Sequence, residues 1–154
     1  MPSTDIKKIK IIIADDHPLF RRGLKHALEE TSDIEVIGES CNGEDLLSLI
    51  RDSKPNIILL DIAMPGKSGL DLLKQLKNEH PKLPILILSV YPEEQYAIRF
   101  LKAGASGYLT KESVAEKLAE AIRKIAVGGK YASTAIIEKL AFDFSDSQKL
   151  PHET

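Results

Sequence analysis

The sequence predicts a doubly wound α/β domain, and three observations carry that expectation. Short, largely β-branched apolar runs recur at 9–13, 34–37, 57–60, 85–88 and 107–109. Runs this continuous suit strands buried on both faces, as in a parallel sheet covered by helices. Amphipathic helical patterns fill the intervals between them, giving five β and five α elements in strict alternation over residues 6–127. Finally, residues able to do chemistry stand just after four of the runs, at the strand ends where open parallel sheets bind ligands.

The elements follow in order. The first run ends in "IIIADDHP", where Pro18 takes the first position of a helix carrying Leu19, Phe20, Leu24 and Leu28. After 34–37, Asn42 caps a helix over 44–51. After 57–60, Ser68 and Asp71 resemble a capping box for a helix over 70–77. After 85–88, a helix opens at Glu93 and runs to about Lys102. After 107–109, Ser113 and Glu116 form the pattern of a capping box leading into Leu118, Ile122 and Ile125, and Gly128-Gly129 ends that helix. A further helix-compatible segment spans about 133–144, and the final "SDSQKLPHET" reads as a polar linker.

Composition narrows the classes of function. With 21 basic and 23 acidic residues, the net charge of -2 argues against this chain binding nucleic acid by itself. The single cysteine, Cys41, forms no internal disulfide and reads as a small buried or half-buried side chain; no Cys/His set has zinc-ligand spacing. No apolar leader or long apolar run is present, so a cytoplasmic protein without a membrane association is expected. Neither G-x-G-x-x-G nor a GK[ST] loop occurs, which disfavours a nucleotide-binding module.

The strand ends bring together Asp15 and Asp16, Asp61, Ser89 and Lys111. Three gathered carboxylates repel unless a cation sits among them, and all-oxygen ligation with water suits Mg²⁺. An aspartate is also a nucleophile towards phosphorus, and a metal ion, an ammonium and a hydroxyl then neutralise the transferred group's oxygens. Asp61, alone at the sheet centre, is the candidate nucleophile, and the adjacent Asp15 and Asp16 the metal holders. Each residue has a plainer reading. Asp15 or Asp16 alone is a plausible cap, His17 a cap or turn residue, Asp61 a turn initiator, Ser89 a strand-end hydroxyl and Lys111 a solvated charge. Their joint occurrence at four strand ends favours the chemical reading.

With those residues assembled, the chain resembles the receiver domain of two-component response regulators over about residues 6–129. The motifs are "ADDH", "LLDIAMPGKSGLDLL", "LSVY" and "GASGYLTK". The resemblance implies the flavodoxin-like strand order 2-1-3-4-5, with Asp61 as phosphoacceptor. It implies Mg²⁺, replaceable by Mn²⁺, on Asp16, Asp61 and the Ala63 carbonyl, with Asp15 acting through water. It makes Ser89 the switch hydroxyl, Tyr108 a rotating aromatic (or else a packed strand residue) and Lys111 the phosphate-binding cation. Ala63 and Tyr91 would flank the site, Tyr91 as a shield, and favour slow self-dephosphorylation. The phosphodonor would be a sensor histidine kinase, and activation would bring homodimerisation. "AVGGKYASTAIIEKL" and "LPHET" are similar to the linker of regulators with a C-terminal LuxR-type helix-turn-helix domain, so residues 130–154 would lead to a DNA-binding half absent from this chain.

One departure stands out: Glu112 follows Lys111 where many receivers have a proline, often after a cis peptide, so the local geometry there is open. The chain is expected to be a self-phosphorylating signalling domain with at most weak autophosphatase activity, not an enzyme acting on a separate substrate. A haloacid-dehalogenase-like phosphatase would carry a second aspartate two residues after the nucleophile, where Ala63 stands. A stand-alone receiver working through protein contacts is the other alternative.

Overall fold

A computed structural model describes residues 7–149, with 144–149 described only in their helical course; residue 6 and the tail 150–154 of the expected linker lie outside the described residues. Five parallel strands, β1 (Ile9–Ala14), β2 (Ile34–Ser40), β3 (Ile57–Asp61), β4 (Ile85–Ser89) and β5 (Gly107–Thr110), form one sheet in the order 2-1-3-4-5. The helices are α1 (Pro18–Glu29), α2 (Gly43–Ser53), α3 (Gly69–Glu79), α4 (Glu93–Lys102), α5 (Val114–Ala126) and α6 (Thr134–Lys149).

Alternation along the strands divides the core in two. Ile12, Ile58, Leu60, Ile85, Ile87 and Tyr108 pack with Leu46, Leu72, Leu76, Ala97 and Phe100 of α2, α3 and α4. Ile11, Ile13, Ile57, Leu59, Leu86 and Leu88 pack with Leu24, Leu28, Leu118 and Ile122 of α1 and α5. Strands β3 and β4 are buried throughout, and β1 from Ile11 onward, which is why their sequences read as apolar runs.

Register sets the site. Ala14 pairs with Leu60, Asp61 with Leu88, and Ser89 with Thr110. The residues directly after β1 and β5 therefore arrive level with the ends of β3 and β4.

The caps divide. Asn42 accepts from the Asp45 amide at 2.9 Å and Ser68 from the Asp71 amide at 3.2 Å, and Pro18 opens α1 with His17 as its cap residue. Ser113 does not cap α5. A 3-10 turn over Lys111–Ser113 precedes that helix, and the Ser113 hydroxyl is engaged with Thr110 Oγ1 at 2.8 Å. Gly128, with φ of 94°, closes α5 in the left-handed region that glycine adopts without strain. Cys41 is exposed rather than buried, because it lies in the turn between the last residue of β2 and the cap of α2.

Beyond α5 the chain returns to the sheet. The Tyr108 amide donates to the Tyr131 carbonyl at 3.0 Å and the Tyr131 amide to the Ser106 carbonyl at 2.9 Å, so residue 131 covers the otherwise open edge of β5. A side chain at Gly107 would meet that Tyr131 carbonyl at 2.8 Å, so only glycine permits the approach. Helix α6 then lies on α4, burying Ile136 and Leu140 and pairing Lys102 with Asp143 at 3.3 Å. It extends past the expected 133–144, so the polar residues up to Lys149 are helical. Among the described residues no helix is long and apolar enough to cross a membrane.

Candidate phosphoacceptor and metal site

Asp15, Asp61 and Ser89 are almost wholly buried although polar, at 0, 2 and 1% exposure. Each ends or directly follows a central strand, so backbone pairing holds it below the surface. The Lys111 ammonium lies 3.0 Å from Asp15 Oδ2 and 3.2 Å from Asp61 Oδ2, and 4.5 Å above the centre of the Phe20 ring. The Ala63 amide donates to Asp61 Oδ1 at 3.0 Å and fixes the carboxylate plane. Burial pushes the Asp61 carboxyl above its ordinary range; the Ala63 amide and Lys111 pull against this, while the charge of Asp15 adds to it. Among the described residues no peptide bond is cis, so Lys111 reaches the carboxylates from a trans peptide.

Sequence reasoning set His17 aside as a cap or turn residue; it stands at the N-cap position of α1, but its side chain makes no capping bond. Its ring nevertheless turns into the cluster: Nδ1 lies 3.2 Å from Asp15 Oδ1, 3.3 Å from Asp16 Oδ1 and 3.7 Å from Asp61 Oδ2. The backbone conformation before Pro18 and a 2.7 Å bond from the His17 amide to Asp15 Oδ1 set that placement. Phe20 and Arg21 were likewise missed as site residues. Phe20 lies under the Lys111 ammonium, and Arg21 donates through Nη1 to the Asp15 carbonyl and through Nε to Glu39.

The donor set fits a divalent cation. Asp15, Asp16, His17 and Asp61 each offer a ligand atom, all within 4.8 Å of one another. Asp15 Oδ2 and Asp16 Oδ1 are buried acceptors with no hydrogen-bond donor. Lys111 supplies charge to the former but not an aligned bond. Such oxygens are costly to bury unless a cation faces them.

Ser89 and Tyr108, the expected switch residues, lie on the neighbouring strands β4 and β5. Ser89 Oγ accepts from the Tyr91 amide at 2.9 Å, and the Tyr108 hydroxyl donates to the Tyr91 carbonyl at 2.9 Å. Tyr108 is 1% exposed, already filling the space next to Ser89, and burial pushes its phenol up. The Tyr91 ring packs edge-on against Tyr96 at 5.1 Å, and Tyr96, Phe100 and Tyr108 continue the row at 6.4 Å spacings.

A family model described as the response regulator receiver domain matches residues 11–123. The chain belongs to that family. It is a receiver domain of two-component systems, homologous to transcriptional regulators. Among curated relatives it is 36% identical over 133 residues to the response regulator GacA of Pseudomonas aeruginosa, covering 86% of this chain and 62% of that one. It is 38% identical over 137 residues to the transcriptional regulatory protein DegU of Brevibacillus brevis, covering 89% of this chain and 58% of that one. This receiver thus spans about six-tenths of the length of these relatives. Among solved structures, a two-component response regulator of the LuxR family from Aurantimonas superposes with a TM-score of 0.80 at 28% identity, over 90% of this chain and 99% of that one.

Proposed function

We propose that this receiver accepts a phosphoryl group on Asp61 from the phosphohistidine of a sensor kinase, and that this controls a C-terminal DNA-binding domain of the full-length protein. The observation that carries the reading is Asp61 itself: a buried carboxylate, fixed by the Ala63 amide, within 3.2 Å of Lys111 and grouped with Asp15 and Asp16.

The chemistry follows from those contacts. An Asp61 oxygen attacks phosphorus in line, the P–N bond breaks, and the imidazole leaves with the electron pair. The receiver's part is orientation and charge stabilisation. Asp15, Asp16 and Asp61 would hold Mg²⁺ or Mn²⁺, together with the Ala63 carbonyl; the bound ion supplies positive charge for the phosphoryl oxygens. Lys111 moves from pairing two carboxylates to pairing the phosphoryl group. Ser89 Oγ accepts from Tyr91 and keeps its own proton to donate to a phosphoryl oxygen.

The switch is built on Tyr91, whose backbone is held at both ends by the switch residues. Recruiting Ser89 releases the Tyr91 amide, shifts the Tyr91 carbonyl and so unsettles the Tyr108 hydroxyl and the aromatic row along α4. A coupling of about 1–3 kcal/mol is typical for such two-state elements. Homodimerisation is the proposed output, DNA is reached only through the further domain, and the receiver acts in the cytoplasm with no more than a weak autophosphatase activity.

The test is incubation with acetyl phosphate and Mg²⁺ followed by intact mass. One added phosphoryl group, lost in Asp61→Asn and with EDTA, supports the reading; a gain that survives Asp61→Asn overturns it.

A further inference from the structure

We propose that His17 Nδ1 is a direct ligand of the metal site, giving it one nitrogen donor beside its carboxylates and tilting its selectivity towards nitrogen-favouring first-row dications such as Ni²⁺ and Zn²⁺ relative to Mg²⁺. This rests on the reading of Asp15, Asp16 and Asp61 as metal holders and goes beyond it in naming a fourth residue and a preference.

Nδ1 pairs with Asp15 Oδ1 at 3.2 Å, and a cation held by the three aspartates would take the place of that contact. The same nitrogen lies 3.2–3.7 Å from one oxygen of each of the three aspartates, and 3.4 Å from the Lys111 ammonium. With the proton on Nδ1 the ring donates to Asp15; with the proton on Nε2 the Nδ1 lone pair faces the carboxylates and is open to a cation held among them. The fully buried Asp15, with Oδ2 lacking a hydrogen-bond donor, marks where that centre is wanted. The ring meets the requirement for ligation through Nδ1, because its side chain is 58% exposed and Nε2 can carry its proton towards water. The backbone is held in place by the His17 amide bond to Asp15 Oδ1 at 2.7 Å and by Pro18 in the first turn of α1.

Chemistry sets the direction of the preference. Mg²⁺ favours oxygen and keeps its waters, so an imidazole adds little to its binding. Later first-row dications gain from an imidazole, in the order that runs up to Cu²⁺. Lys111 stands 3.0 and 3.2 Å from Asp15 and Asp61, and the imidazole strengthens binding most for the ions that take nitrogen well.

The experiment uses the full chain without an affinity tag. Mn²⁺-loaded wild-type protein is examined by pulsed electron paramagnetic resonance, which reads coupling from a directly bound imidazole nitrogen. Calorimetric titrations give the ratio of Ni²⁺ to Mg²⁺ affinity. The expected results are imidazole coupling in the wild type, its loss in His17→Ala with a fall of about tenfold in the affinity ratio, and no change in either for His26→Ala. Mn²⁺ that binds without nitrogen coupling, or a ratio unmoved by His17→Ala, overturns the role of His17 while leaving the phosphoacceptor reading intact. Failure of the wild type to bind any of these ions overturns the metal reading as well.

Discussion

Replacing Lys111 by Met removes one ammonium from between two buried carboxylates while keeping the length of the side chain. The two contacts, at 3.0 and 3.2 Å, are each worth about 5 kcal/mol before desolvation at an effective dielectric of about 20. Desolvation and the mutual repulsion of Asp15 and Asp61 offset most of that. Stripping a partner from a buried pair costs about 3–5 kcal/mol net, and the lower end applies here because Asp61 can take up a proton. Burial already raises Asp61, and losing Lys111 raises it further. A carboxyl raised in the folded state contributes stability below its ordinary value of 3.8, and that stability is lost as pH climbs through the raised value. The deficit of Lys111→Met is therefore largest near neutral pH and smaller at an acidic pH below the raised Asp61 value. Urea unfolding in EDTA reads it directly, with an expected loss of about 3 kcal/mol, or about 10 °C in Tm, near pH 7. A variant as stable as the wild type at neutral pH, or a deficit equal at both pH values, would refute the claim that Lys111 holds these carboxylates together.

Three further outcomes follow from the packing around the site. Gly69→Ala places a Cβ 2.6 Å from Ile62 Cβ and 2.8 Å from the Ile62 backbone; it should destabilise by about 1–3 kcal/mol and slow phosphorylation by displacing the loop that carries the Ala63 amide, read by urea unfolding and intact-mass time courses. Tyr108→Phe removes the donor to the Tyr91 carbonyl; an expected loss of about 1 kcal/mol, with faster amide exchange at residues 89–91, tests whether that bond ties β5 to the switch loop. Leu140→Ala opens the contact of α6 with α4, and because Leu140 is 7% exposed a loss of about 2 kcal/mol is expected. Amide exchange should rise across α6; an unchanged profile there contradicts the packing.

Much of this architecture was legible in the sequence, for a physical reason. Strands buried on both faces have little freedom in composition, so 9–13, 57–60 and 85–88 announce themselves, and the residues just after each are carried to the sheet edge by register. Asp15, Asp61, Ser89 and Lys111 were readable on that logic, and residues 11–123 match the receiver family. The misses share a different logic. Ser113 has the pattern of a capping box, but a 3-10 turn shifts the helix start and commits its hydroxyl to Thr110. Cys41 was judged by residue type, whereas exposure depended on where β2 stops. His17 looked like a cap, and only the turn at Pro18 shows its ring facing the aspartates. The docking of residues 131–143 on β5 and α4 depends on Gly107 admitting the Tyr131 carbonyl, a long-range contact that local patterning does not encode.

The central claim is that the reacting atom belongs to Asp61 and to neither neighbouring aspartate. An aspartyl phosphate is an acyl phosphate, which borohydride reduces to homoserine at the modified position. Phosphorylated protein reduced in this way, digested and sequenced by mass spectrometry, should carry homoserine at residue 61 alone. Homoserine at residue 15 or 16, or phosphate retained on Ser89, would contradict the account.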